Sequence, residues 1–465
     1  MALRLLLALL LVLSLPGSAR AQMKAKCDED LDLAARILYT YWSFVVFRPA
    51  YTDLPRARAE FLPEARAARI PDACADVLDR FLAQLDDGHA GLESYPGRTV
   101  RTRPNVVLRS IRDGYVYEVG APQPVRVFVI ARDSNDAALR LLEPGSEVLR
   151  VDGVGVDTLY GRLHARISGS TPWWRDHIAD KILLLGTAES EVTVTFRSVD
   201  GTVRELILQR PADPYGYDEK KREKAAREAE DAAIVTESRM LEGGWGYLRV
   251  HTFLWKNARR TAERIENALD SLLDRPGLIL DLRDNHGGFV DAAVRIAGRF
   301  VDRRTVLGYV AAREPKSRYY VLGFHDPKRG ISILPPVHAE PNRPTYDGPL
   351  VVLVDAGCFS ACETLAGGLQ SIGRAALVGA SPTGGGSGTV TRYRLPSGAT
   401  ITFSVFVSWQ SDSIGVEGSG VEPAVTVTEG ARDWVDGRDR ALEKAIELLE
   451  TGAAPTLADF QPIKG

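Results

Sequence analysis

The chain has 465 residues, of which 45% are hydrophobic and 26% are charged, and its formal net charge is −3. This composition is that of a globular protein and excludes an intrinsically disordered chain. The nearly balanced charge gives no indication of nucleic acid or an anionic membrane surface as a partner. The length is sufficient for roughly two to four domains.

The first 21 residues are typical of a secretory signal peptide. Arg4 supplies a positive charge, an apolar run extends from Leu5 to Leu15, and Ala19-Arg20-Ala21 has the pattern of a cleavage site. The apolar run is too short to span a bilayer comfortably, and no later stretch is apolar enough. We expect residues 1–21 to be removed and the mature protein to be periplasmic or secreted, without a stable membrane span.

The four cysteines fit an oxidising compartment. Cys27 and Cys74 flank the first helical region, where they are either joined by a disulfide or buried as free thiols. Cys358 and Cys362 lie at a predicted helix start, where packed thiols are favoured over a demanding bridge. The spacing of the cysteines and histidines gives no argument for zinc, and nothing in the sequence implies a metal or an organic cofactor.

Residues 22–97 are predicted to form an N-terminal helical domain that carries His89. The last helix has Val77, Leu78 and Phe81 at helical spacing, and the sequence Asp86-Asp87-Gly88 ends it. The predicted helices are Asp28 to Trp42, Pro55 to Ala68 and Pro71 to Gln84.

Residues 98–213 are rich in short β-type runs around a polar helical segment at 160–185. The stretch from Glu143 to Gly153 resembles part of a PDZ domain, a module that binds extended peptides by strand addition. An unrelated small β domain is the alternative. Residues 214–235 are predicted to be a charged helical linker. The predicted strands are Asn105 to Leu108, Tyr115 to Val119, Val125 to Ile130, Val148 to Val151, Val192 to Phe196 and Arg204 to Leu208.

Residues 236–430 alternate strands with helices, which predicts a parallel βαβ-type core, and residues 431–465 form a terminal helix and tail. The predicted strands are Trp245 to Val250, Gly277 to Leu282 and Leu350 to Val354. The predicted helices are Ala258 to Leu273, Ala292 to Phe300, one that begins near Ser360, and Ala441 to Leu449.

Ser360 follows an apolar strand and a short turn at the start of a predicted helix. The N–H groups at a helix N-terminus stabilise anions, as an acyl-transfer nucleophile requires. On these residues alone, Ser360 is either a nucleophile or an N-cap paired with Glu363. Similarly, Gly287 and Gly288 either present an N–H to an oxyanion or form a plain turn. His89 is either a functional or an ordinary loop residue.

Taken in order, several segments resemble the C-terminal processing (tail-specific) proteases and their relatives. The resemblance covers about residues 85–450 and is weakest in the PDZ-like part. It implies an α/β fold with a ClpP/crotonase-like βαβ protease core, an N-terminal helical domain and a PDZ-like β-rich domain. The segments that carry the resemblance are Leu85 to His89, Gly244 to Val250, Ile279 to Gly288, Ser360 to Glu363, Gly379 to Gly386, Glu417 to Pro423 and Asp439 to Leu449.

One departure from this family concerns the base. The processing proteases pair their Ser with a Lys in a T-x-G-K-G loop, and that position is Gly386 here. The chain has no Lys between Lys328 and Lys444. A Ser–Lys dyad built from that loop is therefore excluded.

The tricorn-protease-like branch of the family instead uses a His from the N-terminal side and a Glu after the nucleophile. Resemblance to that branch implies Ser360 as nucleophile, His89 as general base and Glu417 as the carboxylate that orients His89. In tricorn proteases an auxiliary Ser precedes the catalytic His, and Gly88 stands at that position here.

The resemblance also implies an oxyanion hole that is formed by the N–H of Ala361 and the N–H of either Gly287 or Gly288. His286 adjoins these glycines and is a rival base, although no carboxylate is matched to it. Glu363 has two readings, a helix cap or an assisting residue.

The sequence therefore predicts an exported serine endopeptidase that forms an acyl-enzyme on Ser360. The alternative is a non-catalytic peptide- or ligand-binding protein on the same fold, but the presence of Ser360, His89 and Glu417 favours the enzyme. An esterase is disfavoured because G-x-S-x-G is absent around Ser360. The expected partner is a protein or peptide substrate, bound by its C-terminus or as an added strand. The sequence specifies neither the cleavage preference nor the oligomeric state.

Overall fold

The computed structural model describes residues 26–47, 53–112, 124–213, 233–313, 324–326, 331–342 and 344–460. The predicted signal peptide, the predicted strand Tyr115 to Val119 and most of the predicted linker lie outside these ranges. Within the described ranges, no helix is long and apolar enough to cross a membrane.

Helices form in the N-terminal region within one residue of the three predicted ranges. A disulfide joins Cys27 to Cys74, with the two Cα atoms 5.6 Å apart. Because it closes a loop of 47 residues, this bridge should stabilise the fold by about 4 kcal/mol through the unfolded chain. The helices are α1 (Cys27–Tyr41), α2 (Phe44–Phe47), α3 (Leu54–Ala67) and α4 (Pro71–Ala83).

A β-rich region with its own apolar core follows the short strand β1 (Gly91–Ser94). Its strands are β2 (Arg101–Thr102), β3 (Val106–Arg112), β4 (Val125–Arg132), β5 (Glu147–Val151), β6 (Val154–Gly155), β7 (Gly186–Thr187), β8 (Glu191–Arg197) and β9 (Val203–Gln209). Its helices are α5 (Val156–His164), α6 (Pro172–Ile182) and a 3₁₀ turn at Ala138–Leu141. The main sheet has the order β3-β4-β5-β8-β9, with β6 beside β5. Helix α6 lies against the edge strand β3.

The remainder of the chain forms an α/β core with two further sheets. Its strands are β10 (Thr236–Met240), β11 (Gly246–Val250), β12 (Leu278–Asp281), β13 (Thr305–Arg313), β14 (Phe324–Asp326), β15 (Ile331–Ile333), β16 (Val337–Ala339), β17 (Leu350–Val354), β18 (Ala376–Gly379), β19 (Val390–Arg394), β20 (Thr400–Ser404), β21 (Phe406–Gln410) and β22 (Val425–Thr426). Its helices are α7 (Ala258–Asp270), α8 (Val290–Ala297), α9 (Ala361–Ser371), α10 (Ala431–Val435) and α11 (Arg440–Glu450), with 3₁₀ turns at Glu242–Gly244 and Leu457–Asp459.

The central sheet of this core has the order β10-β11-β12-β17-β18-β22. Every pair from β11 to β22 is parallel, which confirms the predicted βαβ-type core. Strands β12 and β17 are buried along their whole length, as expected of parallel strands that are covered on both faces. Helices α7, α8 and α9 cover one face, and α11 covers the other.

A second sheet is antiparallel, in the order β14-β15-β13-β16, with β21 also paired to β13. The sequence did not predict these strands. Their pairing joins residues that are far apart in the chain, such as Tyr309 and Trp409, so no local pattern reveals it.

The N-terminal region is attached to the core by strand pairing. Strand β1 pairs with β20, where Gly91 lies opposite Thr402, and β20 pairs in turn with β19. Ile401 and Phe403 of β20 are buried in the same apolar cluster as the N-terminal helices. This pairing fixes the loop just before β1, which contains His89.

Candidate active site

Ser360 ends the turn between β17 and α9. Its backbone lies in a region that non-glycine residues seldom adopt, with φ 59° and ψ −119°, and such a conformation costs about 1–3 kcal/mol. The Ser360 side chain makes no capping hydrogen bond. Instead, the Ser360 N–H donates to Glu363 Oε2 at 2.9 Å. Glu363 thus caps the helix, and the Ser360 hydroxyl is directed elsewhere.

His89 lies against that hydroxyl, with its Nε2 atom 3.0 Å from Ser360 Oγ. The imidazole also forms a hydrogen bond with the backbone of Ser387, and Ser404 Oγ is 3.4 Å from His89 Nδ1. A ring that donates from Nδ1 to a carbonyl presents the lone pair of Nε2. This tautomer, assigned from the partners, is the one that can accept a proton from Ser360.

A buried carboxylate that the sequence analysis did not single out lies beneath this ring. Asp87 accepts hydrogen bonds from the His89 N–H at 2.8 Å, from Ser404 Oγ at 2.9 Å and from Trp42 Nε1 at 3.0 Å. A hydrogen bond from an N–H to the Asp side chain two residues earlier is a common Asx turn. The Asp-x-His spacing could therefore have indicated that Asp87 positions His89. Asp87 thereby fixes the backbone of His89 and connects it to β20.

The surroundings of His89 lower its pKa below the ordinary value of 6.5. Burial is the main cause, because it disfavours the charged ring. The negative charge of Asp87 and the hydrogen bond to Ser387 oppose this effect. The ring is therefore neutral near pH 7, as a general base must be.

Glu417 is connected to the His89 imidazole through one intervening residue, Ser387. Its Oε2 atom accepts a hydrogen bond from the Ser387 N–H at 2.8 Å, and Ser387 is the residue whose backbone bonds the His89 ring. The adjacent Gly418 N–H donates to Ser170 Oγ at 2.9 Å. Glu417 is therefore positioned to hold the segment that orients His89.

Two backbone N–H groups beside Ser360 are available for an oxyanion. Among the described residues, the N–H groups of Ala361 and Gly288 have no hydrogen-bond acceptor. The Gly287 N–H, by contrast, donates to Asn285 Oδ1 at 2.9 Å. Of the two glycines that the sequence left open, the geometry favours Gly288 as the donor. Gly287 has a spacing role, because an added Cβ would be 2.9 Å from Ser360 Cβ.

Glu363 also anchors the loop in which the processing proteases carry their Lys. Its buried carboxylate accepts hydrogen bonds from Thr383 Oγ1 at 2.5 Å, and from the N–H groups of Gly385 and Gly386 at 2.8 Å each. Burial raises the pKa of Glu363 to about 7, although these bonds oppose the shift. The carboxylate joins the start of α9 to the loop at residues 383–386.

Comparison with known proteins relates the α/β core to one family of peptidases. Residues 244–427 match the family described as Peptidase family S41. This segment is similar to the core of family S41 peptidases. The predicted enzyme class, a serine-type peptidase, is confirmed at the level of similarity to this family.

Named relatives include both types of protease suggested by the sequence. The chain is 27% identical over 343 residues to the carboxyl-terminal-processing protease of Picosynechococcus sp., covering 72% of this chain and 68% of the relative. It is 28% identical over 398 residues to tricorn protease homolog 1 of Streptomyces coelicolor, covering 84% of this chain. The match spans 32% of that relative, and 25% of a second tricorn protease homolog from the same organism.

Solved structures confirm the predicted mixed α/β fold. Mature CPAF in complex with lactacystin superimposes with a TM-score of 0.65 at 17% identity, over 92% of this chain and 97% of that one. The photosystem II D1 C-terminal processing protease gives a TM-score of 0.51 at 22% identity, over 93% and 100% of the two chains.

The structure has no room for a side chain at Gly386, the position at which the processing proteases that the chain resembles carry a Lys. A Cβ added to Gly386 would be 1.9 Å from Phe359 Cζ, and one added to Gly88 would be 2.5 Å from the same atom. The Phe359 ring lies between these glycines and stacks on Trp174, with the ring centroids 4.0 Å apart. Phe359 thus fills the space beside His89, at a ring separation of 4.8 Å.

The structure does not bring His286 to Ser360. The His286 side chain is 41% exposed, and its contacts are with His177, Asp284 and Trp174. The rival assignment of His286 as base therefore has no geometric support.

Cys358 and Cys362 differ from expectation. They form a disulfide with the Cα atoms 5.5 Å apart, whereas the sequence favoured packed thiols. The bridge is reachable because Cys358 precedes the helix, and the left-handed Ser360 between them turns the chain.

A pocket opens beside Ser360 and Glu363. Its lining is mainly apolar or small, which suits an uncharged side chain next to the nucleophile. The apolar and aromatic lining residues are Val290, Leu307, Tyr309, Val310, Val337, Trp409 and Val416.

Proposed function

We propose that this chain is an exported serine endopeptidase of the tricorn-protease-like branch. In this proposal Ser360 is the nucleophile, His89 the general base and Glu417 the orienting carboxylate. The observation that carries the proposal is the 3.0 Å distance between His89 Nε2 and Ser360 Oγ, at a helix N-terminus with two N–H groups available. The absence of space at Gly386 for a Lys supports the same assignment.

The proposed reaction is acyl transfer. His89 Nε2 takes the hydroxyl proton while Ser360 Oγ attacks the scissile carbonyl, and the Ala361 and Gly288 N–H groups bind the oxyanion. His89 then gives the proton to the leaving amine as the peptide C–N bond breaks. Water activated by His89 attacks the acyl-enzyme, which releases the acid and restores Ser360.

In this mechanism Glu417 and Asp87 are positioning residues. Glu417 holds the Ser387 N–H at 2.8 Å, and its negative charge favours the imidazolium that forms during each proton transfer. Asp87 fixes the His89 backbone from the other side. Both carboxylates act on the ring without contacting the substrate.

The proposed substrate is a protein or peptide with an uncharged side chain in the apolar pocket. The β-rich region is proposed to be a PDZ-like domain that holds such a substrate as an added strand. Its edge strand β3 beside α6 supports this. The Ser110 N–H of that edge is engaged by Asp180 at 3.0 Å, so the substrate strand would compete with this contact.

Export is supported by the character of the first 21 residues and by two disulfides. Disulfides persist in the periplasm and outside the cell, whereas cytosolic thiols are kept reduced. The proposed location is therefore the periplasm or the external medium.

A fluorophosphonate probe tests the assignment, because it labels an activated serine. We expect the wild-type protein to be labelled and Ser360→Ala to be unlabelled. Glu417→Gln should slow labelling about 10- to 100-fold, the effect of losing one charge-assisted hydrogen bond. Equal labelling of the wild type and Ser360→Ala would contradict the nucleophile. A wild-type protein that neither labels nor cleaves a denatured protein would instead favour the non-catalytic binding protein.

A further inference from the structure

Three metal-ligating side chains converge at the junction between α6 and the loop after β12. His177 lies on α6, while Asp284 and His286 lie on the loop. His177 Nε2 is 3.1 Å from His286 Nε2. Asp284 Oδ1 is 3.3 Å from His177 Nε2 and 3.4 Å from His286 Nε2. We propose that this cluster is a zinc(II) site that links the β-rich region to the α/β core.

The separations of the three atoms agree with tetrahedral zinc. With metal–ligand distances of about 2.0–2.1 Å, neighbouring ligand atoms in a tetrahedral site lie about 3.3–3.4 Å apart. The observed edges of 3.1, 3.3 and 3.4 Å are therefore close to those that a bound ion requires. Two imidazoles and one carboxylate, with the fourth position open to water, are a known zinc ligand set.

The protonation states of these groups suit a metal. Burial lowers the pKa of His177, so its imidazole is neutral near pH 7. Burial alone would raise the pKa of Asp284, but hydrogen bonds from His177 and His286 and the charge of Lys181 hold it well below its usual range. In the hydrogen-bonded pair one ring donates from Nε2. That ring moves its proton to Nδ1 when both Nε2 atoms bind an ion.

The backbone holds the cluster in place. Asp284 has a left-handed φ of 60°, and its N–H donates to Asp355 Oδ1 at 2.9 Å. The same Asp355 oxygen accepts the Gly357 N–H at 2.9 Å. The Trp174 ring stacks on His177 with the centroids 5.8 Å apart. The ligands are thus supported by the turn that leads to Ser360 and by a ring packed against Phe359.

Lys181 competes with an ion for this site. Its Nζ atom is 2.6 Å from Asp284 Oδ1, the same oxygen that faces both histidines. Zinc must displace this ammonium group, which would swing into solvent because the side chain is 34% exposed. Removing the amine should therefore strengthen metal binding. A cluster that only stabilises the fold would show no such gain in affinity.

Cobalt(II) is the probe, because it occupies zinc sites and gives strong visible absorption when it is four-coordinate. The purified full chain, free of any polyhistidine tag, is titrated with cobalt while its visible absorption is recorded. Zinc is then added in a calorimeter. The variants are His177→Gln, His286→Gln and Lys181→Met. His251→Gln is the matched control, because His251 also faces a carboxylate, Glu237, at 2.8 Å.

We expect one equivalent of cobalt to bind with four-coordinate absorption, and zinc to displace it. Mutating a residue that hydrogen-bonds to a metal ligand typically weakens metal affinity by about 10- to 100-fold. Loss of a ligand itself should cost more, so His177→Gln and His286→Gln should each weaken metal binding at least about 100-fold. Lys181→Met should bind about tenfold tighter, and His251→Gln should match the wild type. Circular dichroism checks that each variant is folded. The exposed His286 is the safer of the two ligand changes.

The proposal is overturned if the wild-type protein shows no four-coordinate spectrum, or if folded His286→Gln retains it. It is also overturned if Lys181→Met binds more weakly than the wild type. These results are independent of fluorophosphonate labelling at Ser360, so failure of the metal site and failure of the protease assignment are distinguishable.

Discussion

Two histidine sites lie near Ser360, the single imidazole of His89 and the pair formed by His177 and His286, and their surroundings differ. The ring of His89 is in contact with Phe359 at 4.8 Å. The rings of His177 and His286 are in contact with Trp174, which stacks on Phe359 at 4.0 Å. The two stacked aromatic rings thus lie between the half-buried imidazole of His89 and a pair in which His177 is half-buried and His286 is exposed.

The difference between the two sites lies in the hydrogen-bond partners of each ring. His89 has a backbone partner on one side and the hydroxyl of Ser360 at 3.0 Å on the other, so that its free lone pair has one target. His177 and His286 direct their Nε2 atoms towards each other and towards Asp284. The first arrangement suits proton transfer, and the second suits a cation.

The largest expected effect comes from removing one histidine from each of the two sites. His89→Gln should lower kcat for a peptide substrate by about 10,000-fold or more, the usual result of removing a general base. His286→Gln, measured without added metal, should lower it by less than about tenfold. Steady-state kinetics with the same peptide substrate measures kcat for both variants. The reverse order of the two losses would move the base to the exposed cluster.

A smaller loss of kcat is expected from displacing the Phe359 ring, which lies with Trp174 between the two histidine sites. Gly386→Ala places a methyl group 1.9 Å from Phe359 Cζ, so the ring must shift next to Ser360. Overpacking of this kind costs about 1–3 kcal/mol of stability, and a displacement of about 1 Å at the nucleophile costs about 100-fold in kcat. Gly155→Ala is the control, since an added Cβ there meets nothing within 4 Å. Equal kcat and thermal midpoints for both variants would show that the ring position is unimportant.

The smallest expected effect is a shift in the pH dependence of kcat/KM, which depends on the burial of His89. The pKa of His89 is lowered by burial, so the ring stays neutral, and kcat/KM stays on its plateau, to a pH below 6.5. Because the charge of Asp87 raises the pKa of His89, Asp87→Asn should move the acid limb to still lower pH. A pH profile of kcat/KM for both proteins measures this. A limb that stays fixed or moves to higher pH would contradict the coupling.

Local sequence patterns were sufficient for most of the longer helices and for the parallel strands β11, β12 and β17, but not for β18 and β22. The N-terminal helices end within one residue of their predicted limits, because amphipathic spacing and helix-stop residues are local signals. The resemblance to a protease family also selected Ser360 and His89, which the structure brings within 3.0 Å of each other. The tricorn-like triad as a whole stays a prediction, with Glu417 one residue removed from the ring.

What the sequence did not reveal depends on contacts between distant segments. The packing of Phe359 against Gly88 and Gly386 involves three loops, and no spacing along the chain encodes it. The same holds for the three candidate zinc ligands, because His177 is on a helix of the β-rich region and the other two are in the core. A search for cysteine spacing could not find them. The role of Asp87 was missed for a simpler reason, since it was read only as part of a helix stop.

The pairing of β1 with β20 has a consequence for how the proposed active site assembles. His89 and Ser360 are 271 positions apart in sequence, and the strand that fixes His89 pairs with a segment that follows Ser360. Contacts of such long sequence separation form late in folding. In the proposed mechanism, a nascent or partly folded copy therefore carries Ser360 without its base and is inert towards neighbouring proteins. This latency follows from the order in which the chain closes.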